Sequence, residues 1–173
     1  MTNKSSYHVI DDHVIVTIND FIVRDEGGFI LTSDPDGGDG GWTYAGITAH
    51  TWNSYFENVT PASREVIQLA LKSGVEDVNK AVVEIYYNNY LVPAATHVGC
   101  STDDITPHEF SCIVNCGEEG FKQIYNGVKN DDNVVEFCNE WLHHYVDICK
   151  DNPVKLQFLN GWVNRVFRYI SDK

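Results

Sequence analysis

Arg24 to His50 reads R-D-E-G-G-F-I-L-T-S-D-P-D-G-G-D-G-G-W-T-Y-A-G-I-T-A-H: a carboxylate, paired glycines, three aspartates and a threonine-bearing run. Upstream, Val14, Ile18, Phe21 and Ile22 recur at steps of three and four, which predicts a helix over residues 14–25 with one buried stripe. Val14, Val16 and Ile18 also alternate, so a strand competes for the first part of that segment. Gly27 and Gly28 are expected to stop the helix, because glycine takes the left-handed conformation beyond a helix end without steric cost. Glu26 then sits at the negative end of the helix. The helix dipole and any burial both disfavour its ionisation, so its pKa is expected to rise toward what a general acid requires. The plainer alternative is a solvated glutamate at a helix end.

Beyond the glycines the segment reads as a hairpin facing Glu26. Asp34, Asp36 and Asp39 are its candidate second carboxylates, and Thr43 and Thr48 are candidate hydroxyl partners. Asp34-Pro35 and Asp36-Gly37 are also good turn formers. The run D-P-D-G-G-D-G-G has some likeness to a calcium loop but lacks the glutamate that closes one, so no metal is expected. Trp42, Tyr44, Trp52 and Tyr55 offer ring faces that could stack on a substrate ring, whereas Trp141 and Trp162 fall on helical stripes and are assigned to packing.

The rest of the chain is mostly helical. Thr60-Pro61 opens a helix through Leu69 and Leu71 that Gly74 ends. Residues 75–90 carry Val78, Val82, Ile85, Tyr86 and Tyr90 on one stripe, with a stop expected near Pro93. Thr106-Pro107-His108-Glu109 is a capping box that launches a helix toward Asn115. Two longer helices follow over 133–149 and 153–170. In the last, Leu156, Leu159, Trp162, Val163, Val166 and Ile170 form the expected core-facing stripe.

A length of 173 residues suits one domain, 1–173, with residues 1–13 as an N-terminal extension. No apolar run approaches the roughly eighteen residues of a membrane span, so no membrane insertion is expected. The N-terminus M-T-N-K-S-S-Y-H lacks a secretory apolar region, so synthesis in a host cytoplasm without a signal peptide is expected. A formal net charge of −13 and a pI near 4.7 argue against a nucleic-acid partner. Among five cysteines, Cys112 and Cys116 are spaced C-x3-C with His108 as the only close partner, and no second paired motif appears. Reduced, buried thiols are therefore expected rather than structural zinc. His143 and His144 are read as ordinary helix-face residues.

Four motifs in order carry a resemblance. E-G-G-F at Glu26, with the later D-P, G-G-x-T and G-I-T, is similar to the N-terminal signature of glycoside hydrolase family 108, the phage and bacterial muramidases. A-V-V-E-I-Y-Y-N-N-Y at Ala81–Tyr90, V-N-C-G at Val114–Gly117 and F-L-N-G-W-V-N-R-V at Phe158–Val166 resemble that family's later blocks. Two departures stand out: the hairpin is a few residues longer than the family's, and Ser111 stands where the family usually has an aspartate. The resemblance implies a mainly α, α+β lysozyme-like fold, in which a helical domain and a small N-terminal β-hairpin form a glycan groove.

The resemblance further implies a monomeric peptidoglycan hydrolase without a cofactor, cutting between N-acetylmuramic acid and N-acetylglucosamine with Glu26 as general acid. Such a protein would act on the wall after release or as part of a virion. The separation of the two carboxyls would set stereochemistry: roughly 5–5.5 Å for retention and about 6.5–9.5 Å for inversion. The acidic charge is awkward for an anionic wall, unless high salt screens it or the glycan is cationic. A lytic transglycosylase or chitosanase, or a non-catalytic wall-binding or virion protein, are therefore the alternative readings.

Overall fold

The structure, a computed structural model, describes residues 10–33, 42–52, 54, 76–129 and 133–171. The expected helix from Thr60 to Gly74, the ring of Tyr55 and most of the N-terminal extension lie outside the described residues.

Helix α1 spans Asp12–Asp25, opened by Asp11, whose side chain accepts from the His13 amide at 2.8 Å. Val14, Thr17, Ile18, Phe21 and Ile22 are buried while Val16 is exposed, so helical periodicity prevails over alternation. Glu26 caps the helix, and Gly27 (φ 76°) and Gly28 (φ 101°) turn the chain away. The Gly28 amide donates back to the Ile22 carbonyl at 2.9 Å, a wrap one residue longer than a Schellman motif.

Three short strands follow, β1 (Leu31–Ser33), β2 (Trp42–Tyr44) and β3 (Ile47–Thr48), in an antiparallel sheet of order β1-β2-β3. Thr32, Thr43 and Thr48 stand in register across all three strands. Trp42 and Tyr44 point to the opposite face and into the core.

Helix α2 (Glu76–Tyr86) buries Val78, Val82, Ile85 and Tyr86, as its stripe predicts. The expected stop near Pro93 does not occur. A π-turn (Tyr87–Leu91) leads into α3 (Val92–Val98), and the Val92 amide donates to the Tyr87 carbonyl. That widened turn makes room for a proline ring that has no N–H to give, so the ladder adjusts instead of ending.

Helix α4 (Pro107–Gly127) has the expected capping box, with the Thr106 amide donating to Glu109 Oε2 at 2.8 Å. It runs past Asn115, and the V-N-C-G segment becomes a kink at Gly117 (φ 70°, ψ 177°). Helix α5 (Val134–Asp151) starts at Asn133, whose side chain accepts from two backbone amides. Helix α6 (Leu156–Ser171) follows a 3-10 turn over Pro153–Lys155.

The layout is mainly α with one small sheet, the α+β class expected of the sequence. Its core centres on a three-ring contact: Phe21 meets Tyr86 and Phe110 edge-on at 5.3 and 5.2 Å, tying α1 to α2 and α4. Trp141 is buried, and Trp162 is half-buried, stacked on Tyr145 at 4.8 Å.

The α6 stripe is shorter than its periodicity suggests. Leu156 is 57% exposed, and burial is carried by Val166 and Tyr169, where α6 packs beside the end of α1. Phe21→Ala is therefore expected to cost roughly 3–5 kcal/mol in urea unfolding, whereas Leu156→Ala should stay within about 0.5 kcal/mol.

Candidate active site

The end of α1 places two consecutive carboxylates in opposite settings. The Asp25 side chain is fully buried. Its Oδ2 accepts from Ser111 Oγ on α4 and from the Tyr169 hydroxyl on α6, the latter at 3.1 Å. Arg165 Nε lies 3.9 Å from Oδ2, and Arg168 faces the buried Oδ1 at the same distance while donating to the Arg24 carbonyl at 2.8 Å. Asn115 accepts from the Arg165 guanidinium and donates to the Ser111 carbonyl, completing the ring of contacts. Oδ2 carries both hydrogen bonds and Oδ1 has none, only the Arg168 guanidinium nearby, so a carboxyl group buried this way belongs to the scaffold.

Glu26, the next residue, is half-buried and looks the other way, toward the β2–β3 turn. Ala45 (φ 51°) and Gly46 (φ 77°) form that two-residue turn, both left-handed as a tight type I′ connection requires. Ala45 is the only non-glycine with a positive φ among the described residues. Two bonds hold it: its carbonyl accepts from the Tyr86 hydroxyl at 2.8 Å, and its amide donates to Ile30 at 3.2 Å. Gly46 is needed for another reason, since a Cβ there would fall 2.5 Å from Glu26 Cδ. The turn is thus packed directly on the Glu26 carboxyl group.

Burial pushes the Glu26 pKa up. The Arg165 guanidinium opposes that rise and the Asp25 charge adds to it. Tyr86 and Tyr90, around the π-turn, have phenols raised first by burial and then by the Glu26 charge. The carboxyl of Glu26 therefore lies among the end of α1, a hairpin turn, two phenols and one guanidinium. A carboxylic acid that stays protonated above the ordinary glutamate range, beside a polar wall, can donate a proton to a leaving oxygen.

The other expected site residues separate into groups. Asp34, Asp36 and Asp39 lie outside the described residues. Thr43 Oγ1 shares a hydrogen bond with Thr32 Oγ1 at 2.8 Å, on the face opposite the core. Thr48 Oγ1 accepts from the Thr51 amide at 3.4 Å, capping the short helical turn that follows β3. Trp42, Tyr44 and Trp52 were candidates for sugar stacking, but they are 4%, 5% and 0% exposed. Their rings pack with the core, where Tyr44 lies 6.2 Å from Trp52 and donates to Asn79 at 2.9 Å, which corrects that expectation. Among the described residues no group of three or more His, Cys, Asp or Glu side chains is placed to hold a metal ion.

Sequence reasoning passed over Asp25 and Arg165. The F-L-N-G-W-V-N-R-V block carries the resemblance and part of an apolar stripe, and its arginine also lies beside Asp25 and acts on the charge of Glu26. An acidic pair at a helix end and a lone arginine on a far apolar stripe were the available signals.

Profile comparison bears on the same region. The glycosyl hydrolase 108 family profile matches residues 19–117, more than half of the chain and inclusive of Glu26, the sheet, the π-turn and Ser111. The chain belongs to the glycosyl hydrolase 108 family. It is accordingly a glycoside hydrolase. No match was found among curated proteins or among solved structures. Arg165 and Tyr169 of α6 lie outside the matched span, so this family member completes its carboxylate pair with a helix beyond it.

Two substitutions probe this geometry. Gly46→Ala should cost about 1–2 kcal/mol for the left-handed backbone alone and lower hydrolysis further by displacing Glu26. Ser111→Ala, which leaves the buried Asp25 one donor short, should lower stability by roughly 1–3 kcal/mol in denaturant unfolding.

Proposed function

We propose that this protein is a muramidase-type peptidoglycan hydrolase, with Glu26 as the general acid that protonates the glycosidic oxygen of the scissile bond. The observation that carries the reading is the Glu26 carboxyl group, packed under the Ala45–Gly46 turn with its pKa raised by burial, in a chain of a glycoside hydrolase family. Asp25 does not fill the second role, because its side chain is fully buried and faces Ser111 and Tyr169 rather than Glu26's side of the helix end. The hairpin aspartates Asp34, Asp36 and Asp39 remain the proposed source of the second carboxylate, with Thr43 and Thr48 on the strands that follow. The proposed substrate is the glycan strand of peptidoglycan, met by a monomer after release into the wall or from a virion.

Glu26→Gln is the first test. It removes the proton donor at nearly constant volume, so release of reducing ends from purified sacculi should fall by about 10²–10⁴-fold while unfolding is little changed. Clearing at the native rate by the glutamine variant would remove Glu26 from the mechanism. Product masses separate the related chemistries: hydrolysed reducing ends support the proposal, anhydro ends indicate a transglycosylase, and glucosamine oligomers from chitosan indicate a chitosanase.

The charges around Glu26 give a pH test. A general acid works in its protonated form, so activity should decline as pH rises through the raised Glu26 pKa, above the range of an ordinary glutamate. Arg165 favours the Glu26 anion. Arg165→Gln should therefore move the alkaline limb of the pH–rate profile to higher pH, even if the maximal rate falls.

A further inference from the structure

Away from Glu26, α4 and α5 enclose a second group of polar side chains. Cys116 is half-buried, one helical turn after Cys112 and directly before the Gly117 kink. The Trp141 indole donates Nε1–H to Cys116 Sγ at 3.1 Å. An indole nitrogen can only donate, so the sulfur is held as an acceptor. His144, on the same face of α5, comes up against Gly120 beside Cys116, and Cys112 stands one turn earlier on the same helix. Gly120 permits the approach, since a Cβ there would fall 2.8 Å from Cys116 Cβ and 3.0 Å from His144 Nε2.

A donor held on a sulfur and an imidazole close by both favour the thiolate. The Cys116 thiol is drawn down to about 5, first by the Cys112 hydrogen bond and then, against the opposing effect of burial, by His144. The same contact raises His144. Cys112 is fully enclosed and its thiol is pushed well up, so it keeps its proton. Cys138 and Cys149 are buried, and the half-buried Cys100 has its thiol raised by burial. All five thiols are free, as the sequence suggests, with Cys100 and Cys116 half-buried; the histidine beside Cys116 is His144 rather than His108, which contacts Thr106 and the Phe137 ring.

We propose that Cys116 and His144 form a thiolate–imidazolium pair that reacts with hydroperoxides, with Cys112 as the thiol that resolves the product into a disulfide. In the first step the Cys116 sulfur attacks one peroxide oxygen. The O–O bond breaks, an S–O bond forms, and the departing hydroxide (alkoxide for an organic peroxide) takes the His144 proton and leaves as water or alcohol. Cys116 is oxidised to a sulfenic acid and the peroxide is reduced. In the second step the Cys112 sulfur attacks the Cys116 sulfur, the S–O bond breaks, and the Cys112 proton leaves with the hydroxyl as water. Residues four apart on a helix have Cβ atoms about 5–6 Å apart, and a disulfide needs about 3.5–4.5 Å. Cys116 is the last residue before the Gly117 kink, so closing the disulfide requires a shift of the final turn of that helical segment.

The test treats the folded full-length protein with hydrogen peroxide and reads each cysteine by peptide mass spectrometry, with and without a dimedone-type sulfenic-acid trap. In the native protein a Cys112–Cys116 disulfide should form before any other cysteine is oxidised. In Cys112→Ser the trap should appear on Cys116, and His144→Asn should slow that labelling by about tenfold. Oxidation of Cys100 ahead of Cys116 in the native protein would overturn the proposal, as would a rate indifferent to His144. The order of oxidation in the native protein needs no variant, so the test holds even where a substitution prevents folding.

Discussion

The buried carboxylate of Asp25 is the constraint on which the rest of the site depends. Removing such a group from water costs several kcal/mol, and hydrogen bonds to it and opposite charges beside it offset that cost. Those partners come from far along the chain: Ser111 on α4, and Arg165, Arg168 and Tyr169 on α6. Satisfying Asp25 therefore draws two later helices onto the end of the first. Glu26 is the next residue, so its position follows from the same requirement. Arg165 links the two, neutralising the buried charge while limiting how far the pKa of Glu26 rises.

The other side of Glu26 is set by backbone rather than charge. Gly27 and Gly28 let α1 end abruptly, and Ala45–Gly46 lets β2 return to β3 with no side chain between the turn and the carboxyl group. A left-handed alanine costs about 1–2 kcal/mol, and the Tyr86 hydroxyl is one of the bonds that offset it. That hydroxyl comes from the end of α2, just before the π-turn that allows Pro93 to sit within a continuing helix. An acid kept partly from water, next to groups that cannot move far, is the arrangement proton donation requires.

Features set by neighbouring residues were legible in the sequence. The apolar steps of α1, its Gly-Gly stop and the Thr106 capping box all express local rules, and each appears in the structure. Glu26 stood out for the same reason. What could not be read depended on partners distant in sequence. Asp25 meets Ser111 and Tyr169 across 86 and 144 positions, and periodicity carries no trace of such contacts. The rings of Trp42 and Tyr44 looked available because a hairpin is usually exposed, but their face of the sheet is covered, in part by Trp52 on the helical turn after β3. Leu156 erred the other way: the apolar stripe of α6 extends beyond the surface it packs against.

The central claim is that the fold holds Glu26 as a weaker acid than an ordinary glutamate, with its proton retained to higher pH. The most direct measurement is an NMR titration of the Glu26 side-chain carboxyl carbon in the native protein. The account predicts a midpoint above the ordinary glutamate value of about 4.3, and a further rise when Arg165 is replaced by glutamine. A midpoint at or below that value would contradict it, because burial would then not govern the carboxyl group and Glu26 would be the solvated helix-end residue of the plainer reading.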